Sequence, residues 1–273
     1  MQIIDSPLTL QRLLKDTHKS IGFVPTMGAL HLGHRSLIDR AKKENDIVVV
    51  SIFVNPTQFL QGEDLDAYPR KEEVDKKICE LSGVDYLFYP TTEMMYGEDE
   101  VSLNAPNVRG YIMEGSSRSG HFSGVLTVVN KLLNIVQPTR AYFGKKDAQQ
   151  LMLIETMVQN LFMDVVIIPM DTVREKDGLA MSSRNVYLSE QERVDALNII
   201  KSLRIATQLV MKDVLDVQPI EEAMLKALAP LDVEYVTIVN RKFEPLEKVE
   251  VGNTIILVEA LSGTTRLLDN IWI

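Results

Sequence analysis

One cysteine, four histidines and no surplus of positive charge mark this 273-residue chain by what it lacks. With Cys79 alone, no intrachain disulfide can form, and a reducing compartment is the simplest inference. The 29 basic and 38 acidic side chains leave a net charge of -9. Such a surface has no non-specific grip on nucleic acid or on an anionic membrane, so an anionic substrate needs local positive charge. No apolar run reaches membrane-spanning length, and Met1-Gln2-Ile3-Ile4-Asp5 has no basic region leading into an apolar core. The expected setting is cytoplasmic, with neither nucleic acid nor membrane as partner. Internal repeats, low-complexity tracts and long linkers are missing too. What remains is an ordinary globular composition, 45% hydrophobic and 25% charged. It suffices for one large domain or two smaller ones without a structural metal or disulfide.

Two of the four histidines fall in one stretch, Val24-Pro25-Thr26-Met27-Gly28-Ala29-Leu30-His31-Leu32-Gly33-His34. The apolar run Ile21-Gly22-Phe23-Val24 before it reads as a strand. Leu37, Ile38 and Ala41 after it recur at helical spacing among charged residues. The histidines therefore sit where a strand hands over to a helix. A helix start offers unpaired backbone N–H groups and the positive end of a dipole, and both attract phosphate. Gly28 and Gly33 lack Cβ, so backbone and ligand can approach closely. His31 and His34, spaced around a glycine, can turn both imidazoles on one anion as donors. The plain alternative is a pair of turn glycines beside surface histidines.

Further along, a helix is predicted over 9–16, a buried strand over 47–54, a loop over 55–61, a helix over 70–81 and a strand over 85–89. An extended excursion over 101–108 and a Gly/Ser-rich stretch over 110–124 follow. Then come a helix over 125–136, a strand over 140–143, a helix over 148–160 and a strand over 164–169. Alternating strands and helices mean an α/β parallel sheet, with ligands at the carboxyl ends of its strands. After Asp177 the texture changes: long helices over 189–212 and 219–228, then strands over 233–239, 247–249, 254–260 and 265–269. The fold class is thus α/β, a Rossmann-like parallel sheet over 1–176 with a smaller C-terminal α+β domain over 177–273.

Four more clusters fall at strand ends or near the domain boundary. Gly144-Lys145-Lys146-Asp147 opens a helix with a cation beside backbone donors, which suits a triphosphate as well as an ordinary capped helix start. Met181-Ser182-Ser183-Arg184-Asn185 combines hydroxyls with a guanidinium, good phosphate ligands. Asn55-Pro56-Thr57-Gln58-Phe59 offers an amide for a carboxylate or hydroxyl. Gly115 to Gly124 holds Arg118 and His121, which either meet an anion or belong to a flexible surface loop.

The early HxGH and the late Met-Ser-Ser run on one α/β sheet resemble the nucleotidylyltransferase superfamily. Longer blocks narrow this: Val24 to His31, Ser51 to Phe59, Tyr68-Pro69-Arg70, Gly120-His121-Phe122, Phe143-Gly144 with Lys146-Asp147, Gln149-Gln150, Asp177 to Asn185, and Arg266-Leu267-Leu268-Asp269-Asn270. In this order and over nearly the whole chain, they resemble the pantoate–β-alanine ligase (pantothenate synthetase) family.

That resemblance implies ATP-dependent condensation of (R)-pantoate with β-alanine through pantoyl adenylate, with release of pyrophosphate and AMP. It assigns His34, His31 and Lys146 to catalysis. It places ATP against Met27, Gly28, Ala29, Leu30, His31, Leu32, Gly33 and His34. It adds Gly144, Lys145, Lys146, Asp147, Val173, Met181, Ser182, Ser183 and Arg184, the last four closing from the smaller domain. Gln58 and Gln150 match the pair that holds pantoate, with Gln58 near β-alanine. Mg²⁺ accompanies ATP, no protein metal ligands are assigned, and a homodimer is expected. Lys145 stands where the family often has Glu, which leaves open the lysine that leads. Leu32 replaces a usual polar residue, and Ser119 a frequent Pro. The alternative is a nucleotidylyltransferase acting on a phosphorylated acceptor, which would call for more basic residues than the amides Gln58 and Gln150.

Overall fold

A computed structural model describes residues 1–273. The chain divides into two compact units, one of residues 1–145 with 153–171, the other of residues 146–152 with 172–273. The sequence puts the change of texture at Asp177, whereas the units change over between Asp171 and Thr172, and the start of one helix groups with the second unit.

The first unit runs β1 (Gln2–Ile4), α1 (Pro7–Lys15), β2 (Ile21–Thr26), α2 (Leu32–Glu44), β3 (Ile47–Ile52), α3 (Glu72–Leu81), β4 (Tyr86–Phe88), α4 (Thr92–Met95), α5 (Glu114–Ser117), α6 (His121–Val136), β5 (Arg140–Gly144), α7 (Ala148–Asn160) and β6 (Val166–Met170). The strands form one parallel sheet in the order β1-β4-β3-β2-β5-β6. Local chemistry explains the element ends. Ser6 caps α1 by accepting the Thr9 N–H at 3.3 Å, with Pro7 in the first turn, where its missing N–H costs nothing. β3 is apolar apart from the buried Ser51, as expected of a strand covered on both sheet faces. α2 turns Leu37, Ile38 and Ala41 into the core beside Val24, Val50 and Tyr142. Burying each of the two larger side chains contributes roughly 1.5–3 kcal/mol.

The strand order places the site. From β2 the chain steps through β3 to β4 on one side, and β5 returns to pair with the other edge of β2. The β2/β5 boundary is therefore the switch point, where the connecting loops diverge and leave a crevice at the carboxyl ends. The loop Met27–His31 follows β2, and Gly144 ends β5 with Lys145 just after it.

The second unit holds α8 (Glu190–Met211), α9 (Val217–Leu228) and the antiparallel sheet β7 (Asp232–Asn240), β8 (Thr254–Ser262), β9 (Thr265–Trp272). Ser189 and Glu192 form a reciprocal capping box at the start of α8. The two helices pack Ile199, Leu203, Ile220 and Met224 against Ile256 and Val258 of the central strand.

Three sequence expectations change, and one strand is new. The three-residue β1 has no periodicity to betray it and forms by pairing with β4. Residues 101–106 take no regular form, and the Gly/Ser-rich stretch is not a surface loop: it builds α5 and the start of α6, with Glu114, Arg118 and His121 buried. Residues 247–249 are not a strand; Lys248 makes an isolated bridge to Asp216, and the Val249 N–H donates to the Leu215 carbonyl at 2.8 Å. No helix is long and apolar enough to cross a membrane.

Candidate active site

The histidine pair closes the start of α2 on itself. His31 is the capping residue, and its Nδ1 accepts the Gly33 N–H at 3.1 Å. The His34 Nδ1 reaches back to accept the His31 N–H at 3.3 Å. The rings lie against each other with centroids 4.0 Å apart. Two backbone donors expected to meet a phosphate are thus taken by the imidazoles. In return the chemistry of each ring is settled: a δ nitrogen that accepts carries no proton, so the neutral ring holds it on Nε2. The helix start passes its donor capacity to two imidazole N–H groups.

The preceding loop is held by a residue the sequence reading missed. Asp75 of α3 is buried, and its Oδ1 accepts the Leu30 N–H at 2.7 Å. Burial raises its carboxyl above the usual range, against the opposing pull of the Leu30 N–H and Lys71. Gly28 has φ +69°, and a Cβ there would lie 2.7 Å from Asp75 Oδ2. The close approach that demands glycine is therefore to this carboxylate. Tyr68 Oη donates to the Gly28 carbonyl at 3.0 Å. The available signal was spacing: Asp75 stands four residues before Cys79 on the buried face of α3. A cleft of about 300 Å³ lies beside Met27, lined also by Phe53, Arg70, Lys71, Asp75 and Tyr89. Ala29 and Leu30 are buried, and Leu32 is 58% exposed.

Gln58, in the turn after β3, is buried within a polar network. Its Oε1 accepts from Asn55 Nδ2 at 3.0 Å, and Asn55 Oδ1 accepts from Tyr96 Oη at 2.7 Å. Its carbonyl accepts from His121 Nδ1 at 2.7 Å and Arg118 Nη2 at 3.3 Å. Arg118 is clamped by Glu63 through two contacts of 2.7 Å and by Glu114 at 2.9 Å. Two carboxylates already neutralise this guanidinium, so Arg118 and His121 are not an anion receptor; they hold the main chain of Gln58. His121 donates from Nδ1 and accepts the Arg118 Nη1–H on Nε2 at 3.0 Å, which requires a neutral ring. Burial, then the Arg118 charge, hold its pKa below the usual value against the opposing Glu114.

After β5, Gly144 and Lys145 are half-buried, and the Lys145 Nζ is paired with Asp171 at 2.6 Å. In the second unit, the Lys146 Nζ lies 3.3 Å from Asp147, and Gln150 is half-buried on the first turns of α7. Val173 and Met181 are joined by a backbone hydrogen bond of 3.0 Å across a narrow hairpin. Ser182 caps the following turn, accepting the Arg184 N–H at 3.3 Å, and Ser183 and Arg184 are half-buried. Asn185 anchors that turn to Glu175 at 2.7 Å and to the Ala180 carbonyl at 3.0 Å. Gly144 and Lys145 thus belong to the first unit and Lys146 and Asp147 to the second, while the 181–185 turn is hydrogen-bonded within the second unit. Cys79 is buried, its thiol pushed up to about 12, so it offers no thiolate nucleophile. No group of three or more His, Cys, Asp or Glu side chains is arranged to hold a metal ion.

Comparison with known proteins agrees with this architecture. The profile of the family described as Pantoate-beta-alanine ligase matches residues 2–272. The chain is 62% identical to the pantothenate synthetase of Sulfurimonas denitrificans and 56% identical to that of Aliarcobacter butzleri, with 100% of both chains covered in each case. Among solved structures it is similar to the pantothenate synthetase of Thermus thermophilus, with a TM-score of 0.95, 40% identity and 99% of each chain covered. It is also similar to the pantoate-beta-alanine ligase of Francisella tularensis, a complex with beta-gamma ATP and beta-alanine (TM-score 0.84, 36% identity, 100% of this chain and 97% of that one). From its first strand to its last, the chain belongs to the pantoate–β-alanine ligase family.

Proposed function

We propose that this chain condenses (R)-pantoate with β-alanine at the expense of ATP. A pantoate carboxylate oxygen attacks the α-phosphorus of ATP; the bond from that phosphorus to the bridging oxygen breaks, and pyrophosphate leaves. The β-alanine amine then attacks the acyl carbon of the mixed anhydride, and AMP departs with the oxygen that joined it. Neither step needs a covalent bond to the protein. Both need positioning, and charge neutralisation where negative charge builds up.

The observation that carries this reading is the reciprocal capping of His31 and His34, which puts the ring protons on Nε2. Two N–H donors at the switch point suit phosphate oxygens that gain charge as pyrophosphate forms. His34 takes the leading role, with His31 as its partner and Met27 to Gly33 as the bed of the nucleotide. Gln58 binds pantoate, and its Nε2 is the available donor because Oε1 is held by Asn55. Lys146, Gln150, Val173 and Met181 to Arg184 carry the roles the family resemblance gives them, as do Gly144, Lys145 and Asp147. Mg²⁺ enters with ATP and offsets triphosphate charge. A homodimer in the cytoplasm completes the proposal; sedimentation velocity tests the first part, and localisation of a tagged chain the second.

Pyrophosphate release measured with ATP and each acceptor in turn tests the reaction. Pantoate must support it, and a mononucleotide or phosphorylated acceptor must not; the opposite pattern establishes the nucleotidylyltransferase. His34→Ala should abolish turnover while ATP still binds, since it removes a donor to the developing charge and leaves the loop contacts of Asp75.

A further inference from the structure

The Asp269-Asn270 dipeptide of the family-like C-terminal block is assigned no part in the reaction, yet both residues are almost fully buried, at 2% and 3% exposure. Asn270 Nδ2 donates to the carbonyl oxygen of Lys146 at 2.7 Å, across 124 residues of sequence. Its Oδ1 accepts the indole N–H of Trp272 at 2.8 Å. This orientation of the amide is the one the chemistry permits: an indole N–H only donates and a carbonyl only accepts, so a flipped amide would lose both bonds. Asp269 acts in the opposite direction. Its carboxylate takes both ends of the Arg174 guanidinium, at 2.5 and 3.0 Å, and also the Asn270 N–H at 2.8 Å. Arg174 in turn donates to the Gly178 carbonyl at 3.2 Å and bridges to Ala180, inside the hairpin that leads from Val173 to Ser182.

From these contacts we infer that Asn270 is a positioning residue for adenylation, one that acts by pinning the main chain of Lys146. With Asp269 beside it, two consecutive residues of β9 set the register of Lys146 against the 173–184 hairpin. Hydrogen bonds close to backbone atoms leave little slack, so the base of the lysine side chain is held. The inference rests on the reading of Lys146 as the cation that meets the nucleotide.

A double-mutant cycle tests it, using full-length protein, single-turnover pyrophosphate release with pantoate and ATP, and a thermal melt of each variant. Asn270→Asp keeps the shape and the acceptor for Trp272 but turns the donor facing Lys146 into an oxygen. The expected result is a rate about 10- to 100-fold lower, the loss that misplacement by about 1 Å produces, with pantoate KM within about twofold. In a Lys146→Ala background the same change should cost less than about twofold, because a residue that acts through another has nothing left to position. An equal loss in both backgrounds, or a wild-type rate in a folded Asn270→Asp protein, overturns the inference. If Asn270→Asp does not fold, Trp272→Phe removes the N–H that orients the amide, together with part of the ring beneath Arg241, and faces the same criterion. A loss of about threefold or more that vanishes without Lys146 supports the inference, and an equal loss or none overturns it. Full pyrophosphate release by Lys146→Ala alone is a separate outcome: it removes the role of Lys146, and the inference with it.

Discussion

Asn55 donates from Nδ2 to the Oε1 of Gln58 across 3.0 Å, and this one bond leaves Nε2 as the end of the Gln58 amide that can donate. Asn55 is itself oriented, because its Oδ1 accepts from Tyr96 Oη at 2.7 Å and Thr57 Oγ1 at 3.0 Å. Asn55→Asp keeps those two acceptor contacts and sets an oxygen against Oε1. Gln58 then rotates or loses its partner. Pantoate KM should rise about tenfold, the equivalent of one hydrogen bond of about 1.4 kcal/mol, with ATP KM little changed. Initial rates with each substrate varied check this; an increase confined to ATP would refute it.

The adjacent lysines should separate. Lys145 is paired with Asp171 at 2.6 Å, whereas Lys146 has only its neighbour Asp147, at 3.3 Å, as ion-pair partner. Lys146→Ala should slow pantoate-dependent pyrophosphate release by about 100-fold or more, as loss of a charge partner at a transition state does. Lys145→Ala should stay within about threefold. The reverse order would move the leading role to Lys145.

Gly124→Ala reverses a helix propensity. Alanine at an open helical site stabilises by about 1 kcal/mol relative to glycine. In α6 the added Cβ would lie 2.3 Å from the Thr57 carbonyl oxygen and 2.8 Å from the Gln58 nitrogen, both backbone atoms that cannot turn aside. The helix must move off the turn that carries Gln58, so the variant should be less stable by about 1–3 kcal/mol. Urea unfolding measures it, and a gain in stability would mean the packing is looser than described.

Stability should fall in two steps on acidification. Burial, then Arg118, depress the pKa of His121 from its usual 6.5, and its contribution is present above that pH and lost as pH falls through the depressed value. Burial raises the Glu63 carboxyl, but its hydrogen bond and ion pair with Arg118 outweigh this and leave it below its usual 4.5. Its contribution is present above about pH 4.5 and lost as pH falls through the lower folded value. In urea unfolding across pH, His121→Gln should remove the upper step and Glu63→Gln the lower one. Unchanged slopes in both variants would show that the network does not titrate with folding.

Gln150→Ala should weaken pantoate binding by about tenfold and leave ATP affinity close to normal, since an amide that donates to a carboxylate has no equivalent contact to lose with the nucleotide. Isothermal titration with each ligand separates the two. Equal weakening of both would assign Gln150 to the fold of α7.

Elements with a clear period were legible beforehand. The helix over 148–160 is α7 to the residue, and β3, α3 and α8 fall within two residues or so of their expected bounds. What escaped was whatever depends on a distant partner. β1 exists because β4 is beside it. The Gly/Ser-rich stretch reads as a loop because its polar residues face inward to each other, Arg118 to Glu63 and Glu114, where composition alone expects them to face water.

The chain's own order of residues determined the alternation of strand and helix, the histidine junction and the family, since periodicity, turn chemistry and motif spacing are properties of neighbours along the chain. Tertiary structure decided the rest: the ring nitrogens that hold protons, the orientation of Gln58, the tie from Leu30 to Asp75 across 45 residues and that from Asn270 to Lys146 across 124. Such contacts depend on the strands and loops that folding brings side by side, and hydrogen bonds between groups so far apart leave no period for a local reading to find.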